Sequence, residues 1–476
     1  MLDQNFSEKN IEKIYQYGRR QGIFSDEYFS GSIKKELRSL TIRIKDLIRD
    51  EIKPCIDKIK KAKKAENLEE KNKFEKKLKE LNQEKKELYA EKIEIVSKYI
   101  IKQINFETFN FSFVEEEKDF NGKNKKIYKI MNLEDKFVMK HIQRIFEKTY
   151  KVKQANRYLI TSQIKNILDS KLNFYIFKTD IKEFYETIDS NILIKKIKND
   201  NLFSPDIKRI LENLLIQSSK VSSEGKGILR GLGISAFLSE LYLRTFDKII
   251  KSTDGVIFYG RYVDDILIIS TKNMVGNSKF KDFFTDKLKL DNFRLEINKT
   301  KTKEFNFNEN IDFDYLGYRF FKSCSDKRIK IDISDKRYKK YKRQINNIFN
   351  LYEVDTMKYG VCRSLNELVL KRVKYITLNT RIEKKGKKIY VGMHFNNLLI
   401  TEKNVIISLD EILVEQINKS ILLTEKMKNK LKKCKFTNGY DKKHFFVLAS
   451  NKRYEEEKNN DKKIKDISKI ISVKND

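Results

Sequence analysis

The spacing of apolar residues changes several times along this chain, and each change marks a different kind of structure. Up to about residue 100, apolar positions are threaded through dense charge at helical intervals. Phe74, Leu78, Leu81, Leu88 and Ile95 fall on one near-heptad face, which predicts an antiparallel helical hairpin turning near Asn67. From Phe106 to Tyr128 the reading is two strands around Asn121-Gly122, a strong tight-turn signal. Val256 to Tyr259 and Ile266 to Ile269 are β-branched and aromatic runs of strand length, so the acids between them fall on a hairpin tip. Phe174 to Asp180 is a similar run ending in an acid, and Asp189 then reads as the N-cap of a helix from Ser190 to about Lys198.

Further on, Ser235 is the expected N-cap of a helix with apolar residues at Leu238, Leu241, Tyr242, Phe246, Ile249 and Ile250. Ser334 to Arg343, leading into Ile345, Ile348 and Leu351, reads as a capped basic amphipathic helix. Residues 344–434 continue helically, with interruptions around Gly360 and Lys384 to Lys388. A short apolar piece, Phe445 to Ala449, then precedes a charged tail of disordered composition.

Composition narrows the partners. The chain has 476 residues, enough for two or three subdomains, and its 102 Lys and Arg against 68 Asp and Glu leave a formal charge of +34. AT-rich codon usage enriches lysine, but it enriches glutamate too, so the basic excess points to nucleic acid ahead of a membrane surface. No apolar run reaches membrane-spanning length and the N-terminus lacks a signal-peptide core, which predicts a cytoplasmic protein. Cys55, Cys324, Cys362 and Cys434 are far apart and His141, His394 and His444 are isolated, so neither a zinc site nor a thiol nucleophile is expected.

The candidate chemistry centres on Tyr262-Val263-Asp264-Asp265. Adjacent carboxylates on a rigid tip suit hard divalent cations; a solvated turn is the plainer reading of the tetrapeptide alone. Asp180, at a strand end, supplies a third acid if its strand neighbours the hairpin; Glu183, Glu186 and Asp189 compete for the role, Asp189 reading better as a helix N-cap. Three acids could then serve two cations about 3.5–4 Å apart, as in two-metal phosphoryl transfer. Tyr185, five residues after Asp180, is either a ring that excludes a sugar 2′-hydroxyl or a core aromatic. Gly225, Gly227, Gly231 and Gly233 form a loop whose backbone can approach a ligand, without the spacing of a dinucleotide fingerprint or a P-loop.

An acid with a bulky residue five later, a Gly-rich loop and helix, then Tyr-x-Asp-Asp: this order resembles motifs A, B and C of the reverse transcriptase palm. Leu295 to Thr302 is similar to motif D, with Lys301 as its lysine. Phe313 to Phe320 is similar to the primer-grip strand, and Leu133 to Ile145 to the fingers segment before motif A. The resemblance covers about residues 105–330. Leu229-Arg230-Gly231 departs from the Pro-Gln-Gly of retrons and group II intron proteins, and Ala236 stands where a second proline is common. Phe184-Tyr185-Glu186 and Leu238 to Tyr242 look closer to bacterial defence-associated, abortive-infection reverse transcriptases, including the type encoded as two paired polymerases.

The resemblance implies an α+β right-hand polymerase with an RRM-like antiparallel palm sheet. Its parts would be a helical N-terminal extension over 1–104, fingers and palm over 105–330, a thumb-like helical region over 331–434 and a tail over 435–476. Asp180, Asp264 and Asp265 would hold two Mg²⁺, or Mn²⁺ in its place. Tyr185, Arg230, Gly231, Gly233, Lys301 and Arg157 would contact the substrate. Lys123, Lys125 and Lys126 on the fingers hairpin, and Lys339, Lys340 and Arg343 on the thumb helix, would contact nucleic acid. Implied partners are deoxynucleoside triphosphates, an RNA template or DNA product, a dedicated non-coding RNA among them, and a second copy or a paired polymerase, with no membrane. Two other readings stay open: template-independent terminal transfer on the same fold, and a non-catalytic nucleic-acid-binding subunit.

Overall fold

The computed structural model describes residues 3–20, 24, 26–29, 31–104, 109–119, 124–150, 156–170, 172–221, 226–271, 273–276, 278–289, 293–326, 328–384 and 387–446. The chain opens with α1 (Glu8–Arg20), α2 (Gly31–Asp46), α3 (Lys53–Lys64) and the long α4 (Leu68–Gln103). Asn67 caps α4 by accepting from the Glu70 N–H, so the α3–α4 turn falls where the apolar pattern put it. Leu81 and Leu88 pack with Leu40, Ile44, Cys55 and Ile59 in a small separate core. Lys92 breaks the rule that lysines on a charged helix face solvent: it is buried and its Nζ lies 2.6 Å from Asp26 Oδ2.

Next come β1 (Phe113–Asp119) and β2 (Asn124–Ile130), an antiparallel pair with Phe113 opposite Ile130. The predicted Asn121-Gly122 turn lies outside the described residues. The helices α5 (Leu133–Thr149) and α6 (Arg157–Leu168) lead to β3 (Tyr175–Asp180). After it follow α7 (Phe184–Thr187), α8 (Ser190–Lys198), α9 (Pro205–Val221), α10 (Ser235–Lys251), β4 (Val256–Tyr262) and β5 (Asp265–Ser270). The short β6 (Met274–Val275) and β7 (Ser278–Lys279) precede α11 (Phe280–Lys289) and β8 (Lys303–Asn306).

The central sheet has the antiparallel order β4-β5-β3-β8. Because side chains alternate along a strand, β3 and β5 feed two cores at once. Tyr175, Phe177, Ile266 and Ile268 join α5, α8, α9 and α10 on one face, whereas Phe174, Ile176, Leu267 and Ile269 join the C-terminal elements on the other. Those elements begin with the sheet β9 (Ile311–Tyr315), β10 (Tyr318–Lys322) and β11 (Lys330–Ile333). They continue with α12 (Asp335–Tyr359), α13 (Arg363–Thr377), β12 (Asn379–Lys384), β13 (Lys387–Gly392), α14 (Asn404–Lys419), α15 (Glu425–Lys432) and α16 (Phe436–Asp441). Ser334 caps α12 as its sequence predicts.

Around Lys384 to Lys388 the sequence reading needs correcting. Asn379–Lys384 and Lys387–Gly392 are antiparallel strands with Thr380 opposite Val391 and Ile382 opposite Ile389, as the β-branched alternation in both runs favours. The tail reading falls largely outside the described residues. Among those described, no helix is long and apolar enough to cross a membrane.

Candidate active site

Two strands set two of the acids side by side, and the turn next to them carries the third. Asp180 lies directly opposite Asp265 in the β3–β5 register, and alternation puts both on the sheet face shared with β9–β11 and α12. Asp264 follows Val263 in the two-residue turn between Tyr262 and Asp265. Val263 has φ +63°, a left-handed conformation that is costly for a β-branched side chain.

Several bonds hold this tip. Arg261 Nη1 donates to the Val263 carbonyl at 3.0 Å and the Ile181 N–H donates to the Asp264 carbonyl at 3.1 Å. From the neighbouring sheet, Tyr315 Oη donates to the Gly260 carbonyl at 3.0 Å. The Arg261 side chain is 3% exposed, and it also reaches Asp247 through Nε (2.9 Å) and Nη2 (2.6 Å) and Glu240 through Nη1 (3.0 Å) and Nη2 (2.7 Å).

Charge is concentrated here. Burial, then the proximity of Asp180 and Asp265, pushes the Asp264 carboxyl up to about 6. Burial also raises Asp265, opposed by Lys178 and reinforced by Asp180. Asp180 is 5% exposed, and Lys301 Nζ sits 3.0 Å from its Oδ2. A 3₁₀ turn, Lys299–Lys301, delivers that lysine after Asn298, whose N–H donates to the Asp180 carbonyl at 2.7 Å.

Among the described residues no group of three or more His, Cys, Asp or Glu side chains is gathered closely enough to hold a metal ion. Crowded carboxylate oxygens are nonetheless the donor chemistry of Mg²⁺. That ion usually takes only one or two protein carboxylates, completing its shell with water and substrate phosphate. The donor set therefore fits such a cation without forming a closed protein cage.

Beside the acids lies the Gly-rich loop. Tyr185, on α7, is half-buried, and burial raises its phenol. The Arg230 guanidinium lies 5.0 Å from the centre of the Tyr185 ring and bonds Glu186 through Nε (3.1 Å) and Nη2 (3.0 Å). Lys125 Nζ approaches the same Glu186 carboxylate at 3.7 Å, and the Tyr128 N–H donates to the Arg230 carbonyl at 2.8 Å, so strand β2 is tied to the loop. Gly231, with φ +100°, is required there: a Cβ would stand 2.7 Å from the Tyr128 carbonyl oxygen. A Cβ on Gly233 would meet the Gln143 amide. Ser235 is not the expected cap: α10 begins at Ser235 with Ile234 as N-cap, and Ser235 Oγ donates to the Leu229 carbonyl at 2.7 Å.

The other candidates spread out. Arg157 stacks over the Tyr262 ring at 4.5 Å, next to the tip. Lys126 pairs with Glu115 at 2.8 Å within the β1–β2 hairpin, while Lys123 and Gly225 lie outside the described residues. Lys339, Lys340 and Arg343 are exposed on α12. Arg261, Glu240, Asp247 and Asn298 were not anticipated, and Glu186, a competitor for the third acid, instead engages Arg230 and Lys125. One available signal was the placing of Glu240 and Asp247 seven residues apart on one helix face, opposite an arginine in a half-buried strand.

Residues 118–320 match the family described as reverse transcriptase (RNA-dependent DNA polymerase), a stretch that includes β3, the β4–β5 hairpin, the Gly-rich loop, β9 and the start of β10. The match supports a reverse transcriptase domain and, in general terms, nucleotidyl transfer by it. Among solved structures, the chain is similar to apo telomerase from Candida Tropicalis, with 14% identity and a TM-score of 0.38, covering 76% of this chain. It is also similar to that telomerase truncated from its C-terminal domain, with 16% identity and a TM-score of 0.35, covering 47% of this chain. The chain spans 63% and 55% of those two structures. No curated protein matches it.

Proposed function

We propose that this chain is an RNA-directed DNA polymerase that adds deoxynucleotides to a 3′ end, with Asp180, Asp264 and Asp265 as its catalytic acids. The observation that carries the reading is the direct pairing of Asp180 with Asp265 beside a tip that holds Asp264. In this reading residues 105–330 are fingers and palm, 331–434 the thumb, 1–104 a helical extension and 435–476 a tail. Divalent cations held by the three carboxylates would lower the pKa of the attacking 3′-hydroxyl and neutralise the leaving pyrophosphate.

The chain's own residues do the rest. Tyr185 presents its ring beside Asp264, where it excludes a 2′-hydroxyl. Gly231 and Gly233 let backbone approach the nascent pair. Lys125 and Lys126 on β2, and Lys339, Lys340 and Arg343 on α12, attract phosphates without reading bases. The likeness of Phe184-Tyr185-Glu186 to defence-associated reverse transcriptases extends the proposal to a role in bacterial antiviral defence.

The test is incorporation by purified protein with Mg²⁺ and primer–template. Asp264→Asn with Asp265→Asn should reduce incorporation to background while leaving nucleic-acid affinity unchanged or higher, because two phosphate-repelling charges are gone. Unchanged incorporation would refute the assignment.

One observation favours a second reading. The Arg230 guanidinium is turned onto Glu186 and Tyr185, which is not the arrangement expected of a template-reading side chain. Template-independent terminal transfer predicts equal incorporation with and without template, and templated synthesis predicts strict dependence on it.

A further inference from the structure

We infer that Arg261 is a positioning residue that holds the left-handed Val263 turn, and thereby fixes where Asp264 and Asp265 present their carboxylates. The inference rests on the proposed polymerase reading for its meaning, and on the hairpin geometry alone for its substance.

A two-residue hairpin turn with positive φ at its first central residue ordinarily places glycine there. This chain has valine, whose branched Cβ crowds the neighbouring backbone at φ +63°. Left alone, such a turn would relax, and the two residues displaced by the relaxation are the acids that follow. The hydrogen bond that meets the strained residue itself runs from Arg261 Nη1 to the Val263 carbonyl. Arg261 sits two positions earlier on the same strand, so the brace is local and short.

Its orientation is set from outside the hairpin. Arginine offers five N–H donors in a rigid fork, and all five are engaged: Nε on Asp247, Nη1 on Glu240 and the Val263 carbonyl, Nη2 on Glu240 and Asp247. Tyr259 Oη, 2.6 Å from Asp247 Oδ1, orients that carboxylate in turn. Both acids belong to α10, whose first turn continues directly from the loop of Arg230 to Gly233. The fork thus registers the turn bearing the acids against the helix bearing the loop. Burial opposes the guanidinium's charge, but Asp247 and Glu240 more than compensate and hold it firmly protonated.

A general stabilising network and a brace for one strained residue predict different couplings. Glycine adopts the left-handed turn without strain, so a brace becomes dispensable once Val263 is replaced, whereas a structural network does not. The experiment compares wild type, Arg261→Lys, Val263→Gly and the double variant in the full chain. Mn²⁺ binding by calorimetry and incorporation on primer–template are both read. Arg261→Lys keeps the charge but loses the fork, and should weaken Mn²⁺ binding and incorporation by about 10–100-fold, as supports of metal ligands typically do. Primer–template affinity should hold. Val263→Gly alone should change both readouts little, and should restore most of the loss in the double variant.

An equal loss in both backgrounds overturns the inference. Should Arg261→Lys fail to fold, Glu240→Gln, which loosens the fork from the helix side, takes its place: rescue by Val263→Gly supports the brace, and equal loss overturns it. Coupling in Mn²⁺ binding without incorporation by wild type would sustain the brace and refute the polymerase. Incorporation without coupling would do the reverse.

Discussion

The β4–β5 tip and the helix α12 both carry concentrated charge, under opposite rules. At the tip, charges are mutually committed around buried groups: the buried Arg261 lies between two carboxylates, and Lys301, itself exposed, rests on the buried Asp180. On α12, Lys339 is 68% exposed and shares a one-turn ion pair with Asp335, while Lys340 and Arg343 stand in solvent. Removing a charge at the tip strands its partner in a poorly solvated place. Removing one from α12 strands nothing and subtracts only from the field that a phosphate backbone feels. A net charge of +34 therefore says little about where individual charges matter.

The contrast can be broken most severely at the brace. Arg261→Ala leaves Asp247 and Glu240 facing each other without a cation. It should cost about 3 kcal/mol of stability, read from denaturant unfolding; a change below about 0.5 kcal/mol, ordinary for surface sites, would put the tip under the same rule as α12. A middle-sized effect is expected at Tyr185, whose ring stacks under the Arg230 guanidinium and feels the Asp264 charge. Tyr185→Ala should relax discrimination against ribonucleotides by about tenfold, in line with what steric pockets achieve. Competition assays with matched nucleotide pairs check this, and an unchanged preference would make Tyr185 a packing residue. The smallest effect on the fold belongs to α12. Lys339→Gln, Lys340→Gln and Arg343→Gln together should leave unfolding within about 0.5 kcal/mol of wild type. Their mark should appear in the salt dependence of primer–template binding, whose log–log slope should flatten by about 0.9 for each duplex phosphate that the helix no longer neutralises. An unaltered slope would show a merely solvated face, and weakened binding confined to one sequence would show base reading.

Much of the site was legible because it follows from strand period and cap chemistry. An acid ending one strand run and two acids between two others can meet only if the strands pair, and Asp180 does lie opposite Asp265. Asp189 caps α8 and Ser334 caps α12, as their side chains suggest. Phe313 to Phe320, which reads as one strand, is instead a hairpin: Leu316-Gly317 has positive φ at both residues and turns β9 into β10. Val263 is an unusual residue for a tight turn, but the sequence does not show that it takes a positive φ. Ser235 misled because a serine at the start of a helix can bond a distant loop carbonyl instead of its own N–H groups. Arg230 and Lys125 looked available to substrate, since sequence cannot show that Glu186 stands between them. The β12–β13 pair was missed because charge masked the short alternation in both strands.

The strand order has a consequence for how the chain is made. β3 lies in the middle of its sheet, yet both its partners are later in sequence: β5 ends at Ser270 and β8 at Asn306. At ribosomal speeds of about 5–20 residues per second, Tyr175 to Asp180 must wait roughly 5–20 s for its first neighbour and longer for its second. Throughout that interval an apolar strand with two unpaired edges is open to wrong partners. Lys178 within the strand and Lys182 just beyond it act as gatekeepers against self-association. The pairing of Asp180 with Asp265 thus waits for β5 and the far edge of the sheet closes only with β8, so the yield of folded chain should depend on how quickly translation passes from Asp180 to Asn306.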